Sequence, residues 1–194
     1  MKASFWDRLV PKLTEDVGVN ELFFEAVKKH IKPDDQLLEI GSGTGNMSRS
    51  LSKEVSFVEG SDFSNEMIAQ AKKKDQIENV HFSVQDAANL TFETSSFDTV
   101  LAINTLHVVS DIDTVLQEVN RVLCDKGQFI VIVPLFKRNK LSFMLVRGLM
   151  KMMKFRLWSV DKYKQRFEVQ GFEIVYQEEL NGKSHSAILV GKKK

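Results

Sequence analysis

The chain has 194 residues, 43% of them hydrophobic and 27% charged, with a formal net charge of +1. Such a length and balance predict one soluble domain with a sizeable core, and the near-zero net charge argues against a nucleic-acid binder. The single cysteine, Cys124, excludes an internal disulfide framework and a cysteine-based zinc site, and points to a reducing, cytoplasmic setting.

Asp7, Lys12 and Glu15 interrupt any apolar core of a leader peptide. No apolar run reaches the roughly 18 residues that a membrane-spanning helix needs. Charge is unevenly spread. Eight of the 27 basic residues and none of the 26 acidic ones fall between Lys126 and Val160, leaving 19 basic against 26 acidic elsewhere.

Phe5-Trp6-Asp7 opens a helical arm assigned to residues 1–32. Its later part, Val19 to His30, is amphipathic, with Leu22, Phe23, Ala26 and Val27 on the apolar side. Lys32-Pro33-Asp34-Asp35 ends it, and the apolar run ending in Ile40 reads as a buried strand. Gly41, Gly43 and Gly45 break that strand, and Met47 to Lys53 resumes with helical character. Strand, glycine turn and helix start form a place where backbone N–H groups converge on a ligand. A Cβ there would block both positive φ angles and close approach. The spacing is G-x-G-x-G, with Asn46 where a dinucleotide fingerprint has its third glycine, and no P-loop motif is present.

Val55 to Gly60 is predicted as the second strand, and Ser64 as the N-cap of a helix through Lys74. Val80 to Val84 is the third strand; Phe97 to Ile103, almost wholly apolar, is a fourth buried on both faces. Asp111 starts a helix with Ile112, Val115, Leu116, Val119, Val122 and Leu123 on one stripe. Lys126-Gly127 is expected to stop it ahead of a fifth strand, Phe129 to Val133. Strands alternating with helices imply right-handed crossovers and a parallel sheet. Phe172 to Gln177 and Ser186 to Val190 break the rhythm: Asn181-Gly182 joins them as an antiparallel hairpin.

In such a sheet ligands sit outside the carboxyl ends of the strands. The second strand ends in Glu59-Gly60-Ser61-Asp62, placing a carboxylate about twenty residues beyond the glycine loop, where it can accept from both hydroxyls of a ribose. The third ends in Asp86-Ala87, an acceptor beside a backbone donor, suited to an adenine edge. The fourth ends in Asn104-Thr105-Leu106-His107, facing the same cleft. These are nucleoside-recognising groups; they form no triphosphate or metal cage.

Taken together, these segments resemble the class I S-adenosylmethionine-dependent methyltransferases over nearly the whole chain. Leu38-Glu39-Ile40-Gly41-Ser42-Gly43-Thr44-Gly45 is similar to that family's first motif, and Val58 to Ser64 to its second. Asp86 to Leu90 followed by Ser96 to Leu101 resembles the third and fourth. Arg121 to Gln128 resembles the run into strand five, with Asp-Lys-Gly where the family usually has Pro-Gly-Gly.

The resemblance implies an α/β, Rossmann-like doubly wound seven-stranded sheet, mostly parallel with its last strand antiparallel. It also implies S-adenosylmethionine as cofactor. By the family pattern Glu39, Gly41, Ser42, Gly43 and Gly45 cradle the methionine part. Asp62 holds the ribose, Phe63 packs on the adenine, Asp86 and Ala87 bind its edge, and Asn104 lines the methionine end. Met67 joins the cofactor-binding set. Within the family the nearest flavour is the small-molecule, quinone and phospholipid group, so a small or lipid-like acceptor is expected.

His107 is the candidate catalytic residue, placed to take a proton from the acceptor, and is weighed against a pocket-wall or helix-capping histidine. Asp98 reads as structural. His30 and His81 lack partner acids at ligand spacing, so no metal is expected.

The segment 134–160 reads as a basic amphipathic insertion after strand five. Lys140, Arg147, Lys151 and Lys154 share one helical face, with leucines and methionines over the remainder and Gly148 interrupting. It is either a lid or, through residues 137–158, a contact with an anionic membrane, which would make the protein peripheral on the inner face. Two rival functions are a Rossmann-type NAD oxidoreductase, disfavoured by Asn46, and a non-catalytic cofactor-binding module.

Overall fold

Leu37, Leu38 and Ile40 are fully buried in β1 (Gln36–Ile40), because a strand paired on both sides and covered on both faces has no solvent side. A computed structural model describes residues 19–135, 158–182 and 185–194. Residues 1–18 of the expected N-terminal arm, and 136–157 of the basic insertion, lie outside the described residues.

Around β1 stand β2 (Phe57–Asp62), β3 (Val80–Val84), β4 (Phe97–Ile103), β5 (Leu123–Pro134), β6 (Phe172–Asn181) and β7 (His185–Lys193). The seven strands lie in the order β3-β2-β1-β4-β5-β7-β6. β1 pairs in parallel with β2 on one side and β4 on the other, so the strand order reverses at the carboxyl end of β1. β7 runs antiparallel to both β5 and β6. The sheet is therefore parallel except for its last-formed strand, as the sequence implied.

The helices are α1 (Glu21–Lys28), α2 (Asn46–Leu51), α3 (Asn65–Lys73), α4 (Ile112–Val122) and α5 (Val160–Val169). Alternation along each strand divides the core in two. One half joins Leu38, Val100, Phe129 and Val131 to the apolar stripes of α4 and α5. The other joins Leu37, Leu101, Ile130 and Ile132 to α1, α2 and α3. Ser64 caps α3 by accepting from Met67 N–H, and Asp111 caps α4 by accepting from Asp113 and Thr114 N–H. Among the described residues no helix is long and apolar enough to cross a membrane.

Boundaries differ from expectation in three regions of the chain. β2 starts at Phe57 rather than Val55; Phe57 is the residue that meets Gln36 of β1, while Val55 is buried in the turn ahead of it. The extra length at the other end carries β2 through Asp62. α4 ends at Val122, before the expected Lys126-Gly127 stop, because Leu123 pairs with Phe97 in the sheet. The turn becomes an irregularity within β5, with Lys126 at φ 63°. The terminal hairpin strands are longer than expected because β6 is an edge strand, whose outward charged positions do not interrupt pairing.

Candidate functional site

The reversal of strand order opens a cleft of about 280 Å³ at the carboxyl ends of β1, β2, β3 and β4. Its floor is the glycine loop. Gly41 (φ 73°) and Gly43 (φ 56°) are left-handed, a conformation disfavoured for residues with a Cβ. At Gly41 the close approach is to Thr105, whose Oγ1 would clash with an added Cβ. At Gly43 nothing lies within 4 Å, so the peptide is open to a ligand.

The loop is sewn to β2. Gly41 and Ser42 N–H both donate to Ser61 O (2.7 and 2.9 Å), and Gly43 N–H donates to Asp62 Oδ2 (2.9 Å). Ser64 N–H donates to Asp62 Oδ1 (2.8 Å). Two backbone N–H groups thus help to orient the Asp62 carboxylate at the edge of the cleft.

At the end of β3, Asp86 accepts from Ala88 N–H (2.9 Å), which fixes the turn carrying Ala87. The following loop is held by a pair on α4. Glu118 accepts from Leu90 N–H, while Arg121 donates to the carbonyls of Leu90 and Phe92 and pairs with Glu118. At the end of β4, Asn104 takes φ 52°, unusual for a residue with a side chain.

Of the residues named from sequence, Gly41, Gly43, Asp62, Phe63, Met67, Asp86, Ala87 and Asn104 all line this cleft. Phe63 is 42% exposed, a large apolar ring left open to a ligand. Four do not line it. Gly45 is the N-cap of α2 and faces the Phe82 ring. Ser42 is buried beneath the loop.

Glu39 is only 3% exposed; it accepts from Ser48 Oγ, and burial pushes its pKa up to about 7. His107 is 9% exposed, and burial lowers its pKa to about 4, so the ring is neutral near pH 7. Thr105, expected to face the cleft from the end of the fourth strand, lines it; sequence reasoning missed Ser61 and Val115 as cleft walls. It also missed the Glu118–Arg121 clamp, whose one available signal was the i, i+3 opposite-charge spacing on a helix.

A nucleoside-bearing cofactor needs an acceptor for paired hydroxyls, an apolar face for a base and open backbone for close approach. Asp62, Phe63 and Gly43 meet those needs in one cleft. The family model for a methyltransferase domain matches residues 38–131. A demethylmenaquinone methyltransferase from Staphylococcus haemolyticus is 33% identical over 168 residues, covering 74% of this chain and 70% of that protein. A phosphatidylethanolamine N-methyltransferase from Cereibacter sphaeroides is 40% identical over 109 residues, 54% of this chain and 53% of that protein. The crystal structure of the YcgJ protein from Bacillus subtilis has the same fold, with a TM-score of 0.75 at 20% identity, covering 88% of this chain and 97% of that one. The chain belongs to the class I S-adenosylmethionine-dependent methyltransferases, and S-adenosylmethionine is its cofactor.

Proposed function

We propose that residues 1–194 form a single methyltransferase domain that methylates a small or lipid-like acceptor. The observation that carries this reading is the convergence of Asp62, Phe63, Asp86 and Asn104 from separate strand ends on one cleft beside an open glycine loop. When bound, S-adenosylmethionine supplies an electrophilic methyl group, so the reactivity belongs to the cofactor.

The chain's own residues bind, orient and exclude water. In this reading Asp62 accepts from the ribose hydroxyls, Phe63 covers the adenine, and Asp86 with Ala87 N–H reads its edge. Gly41, Gly43 and Asn104 border the methionine end, with Glu39 and Ser42 behind them. Met67 backs the adenosine. His107 is assigned an accessory role, since a neutral, buried ring outside the cleft lining is poorly placed to collect a proton.

The lipid-like acceptor is supported by relatives that carry the names of quinone and phospholipid methyltransferases. The proposed place of action is the cytoplasm, with a peripheral contact on the inner membrane face through residues 137–158. Trp158, the described end of that segment, packs on the core beside Tyr163 with Lys162 Nζ 4.4 Å from its ring centroid. Any lipid contact therefore belongs to residues before it, above all Arg147, Lys151 and Lys154.

Two measurements test the reading. Turnover is assayed with reduced demethylquinone and phosphatidylethanolamine acceptors; methylation of neither, nor of any other lipid-like or small acceptor offered, would leave a binding module. Co-sedimentation with anionic vesicles is compared at low and high salt for the wild type and an Arg147, Lys151 and Lys154 triple glutamate variant. Salt-sensitive binding lost in the variant supports the contact; binding unaffected by both, or none, leaves the lid.

A further inference from the structure

Glu39 is a buried acid that has no cationic partner among the described residues. From α2 it receives hydrogen bonds from Ser48 alone among the described residues, the hydroxyl and the backbone N–H, both neutral donors. On its two flanking strands the facing residues are Gly60 of β2 and Leu101 of β4, neither of which carries charge. Among the described residues the charged group acting on it is Asp62, a second acid, at the end of β2. Among the described residues, the basic side chains of and just beyond the adjoining helices are engaged elsewhere: Arg49 of α2 donates to the carbonyls of Ala71 and Asp75, and Lys74 reaches Asn46 and Thr44. Desolvation and a neighbouring like charge both favour the neutral acid. Ile40 and Gly41, the next two residues, are walls of the cleft. A cation placed in the cleft would therefore be the missing partner.

We propose that Glu39 couples cofactor occupancy to proton release: the neutral acid ionises when a cationic ligand fills the cleft, and its proton leaves to solvent. The O–H bond of the carboxyl breaks, the electron pair stays on the carboxylate, and the new negative charge offsets the positive charge of the ligand. The inference rests on the cofactor-binding reading of the cleft and adds a consequence to it: affinity for the charged cofactor rises with pH through neutrality. An uncharged ligand of the same nucleoside gains nothing from it.

Calorimetric titration at pH 6.5 in two buffers of different ionisation enthalpy counts the protons released. At this pH an α-amino group of ordinary pKa near 7.7–8.0 stays protonated throughout. With Glu39 titrating at about 7 in the free protein, S-adenosylmethionine is expected to release about 0.75 proton per molecule bound. The uncharged 5′-methylthioadenosine is expected to release none. Glu39→Gln, neutral and nearly isosteric, should bind S-adenosylmethionine without release. Ser48→Ala, which removes the side-chain bond favouring the carboxylate and keeps the backbone N–H, should push release toward a full proton; this second variant keeps the test open if Glu39→Gln does not fold. Equal proton counts for wild type and Glu39→Gln, or a count in Ser48→Ala no higher than wild type, would overturn the coupling while leaving the cofactor site intact. No binding of S-adenosylmethionine at all would overturn both.

Discussion

The two ends of the parallel strands use the same residue types for opposite purposes. At the amino ends, Asp35 accepts from Lys32 N–H (3.2 Å) and Thr99 Oγ1 (2.8 Å), and Asp98 accepts from Gln36 N–H (2.9 Å). Gln128 donates to Thr99 (3.1 Å) and to the carbonyl of His30. These polar groups tie strands together, and Asp35 and Thr99 are buried. At the carboxyl ends, Asp62 and Asp86 are also oriented by backbone donors, but both line an open cleft. Orientation by the backbone is common to the two ends; accessibility is what separates a brace from a site.

The largest effect sharpening this contrast comes from Glu39, a carboxyl-end acid buried like the amino-end ones. Its pKa is raised from an ordinary 4.5 to about 7, so the folded protein holds a proton that the unfolded chain has already lost. Stability therefore falls as pH rises from about 4.5 to about 7, and the full penalty, about 3 kcal/mol, is present above that window. Glu39→Gln removes the penalty. In cofactor-free protein its gain over wild type should be near zero at pH 4 and about 3 kcal/mol at pH 8, read from urea unfolding at each pH. A gain independent of pH would count against a neutral Glu39.

Asp62→Ala should weaken S-adenosylmethionine binding by roughly 1.5–3 kcal/mol, the range for hydrogen bonds to a charged group. Titration calorimetry on the folded variant measures it, and unchanged affinity would remove Asp62 from the site. Asp35→Ala is the matching change at the other end. It leaves Thr99 Oγ1 and Lys32 N–H without their acceptor and should lower stability by about 1–3 kcal/mol, with cofactor affinity intact. Weakened binding at full stability would reverse the assignment of the two ends.

The smallest effect is expected at His107, which stands at the carboxyl end but is buried. His107→Ala should lower turnover by less than the roughly 100-fold that marks loss of a general base. A larger fall with unchanged cofactor affinity would restore it as the catalytic base.

The carboxyl-end frame was legible because local rules govern it. Glycines at positive φ, a strand-end acid, and the caps Ser64 and Asp111 each declare themselves within a few residues. The hairpin at Asn181-Gly182 is equally local. What could not be read depends on residues far apart in the chain. Asp35 meets Thr99 across 64 positions, and Arg121 meets Leu90 across 31. Burial of Glu39 and His107 is of the same kind, since a polar residue beside a strand end reads alike whether water or packed side chains surround it. The start of β5 at Leu123 was hidden because that leucine continues the apolar stripe of α4 while its pairing with Phe97 ends the helix.

The placement of β7 has a consequence for how the molecule assembles. The ribosome delivers β6 before β7, yet β7 lies between β6 and β5. Until His185 to Lys193 has been made, β6 has no strand to pair with and β5 presents an open edge of Phe129 to Val133. Ala187 to Val190, all nearly inaccessible in the finished sheet, join β5 on one side and bring in β6 on the other. The nascent chain therefore carries an unpaired, apolar β5 edge from the completion of β5 until β7 is made, and edges of that kind invite pairing with other chains. Truncation ahead of His185 would remove an interior strand of the sheet, and aggregation during synthesis, more than a modest loss of melting temperature, is the outcome that follows.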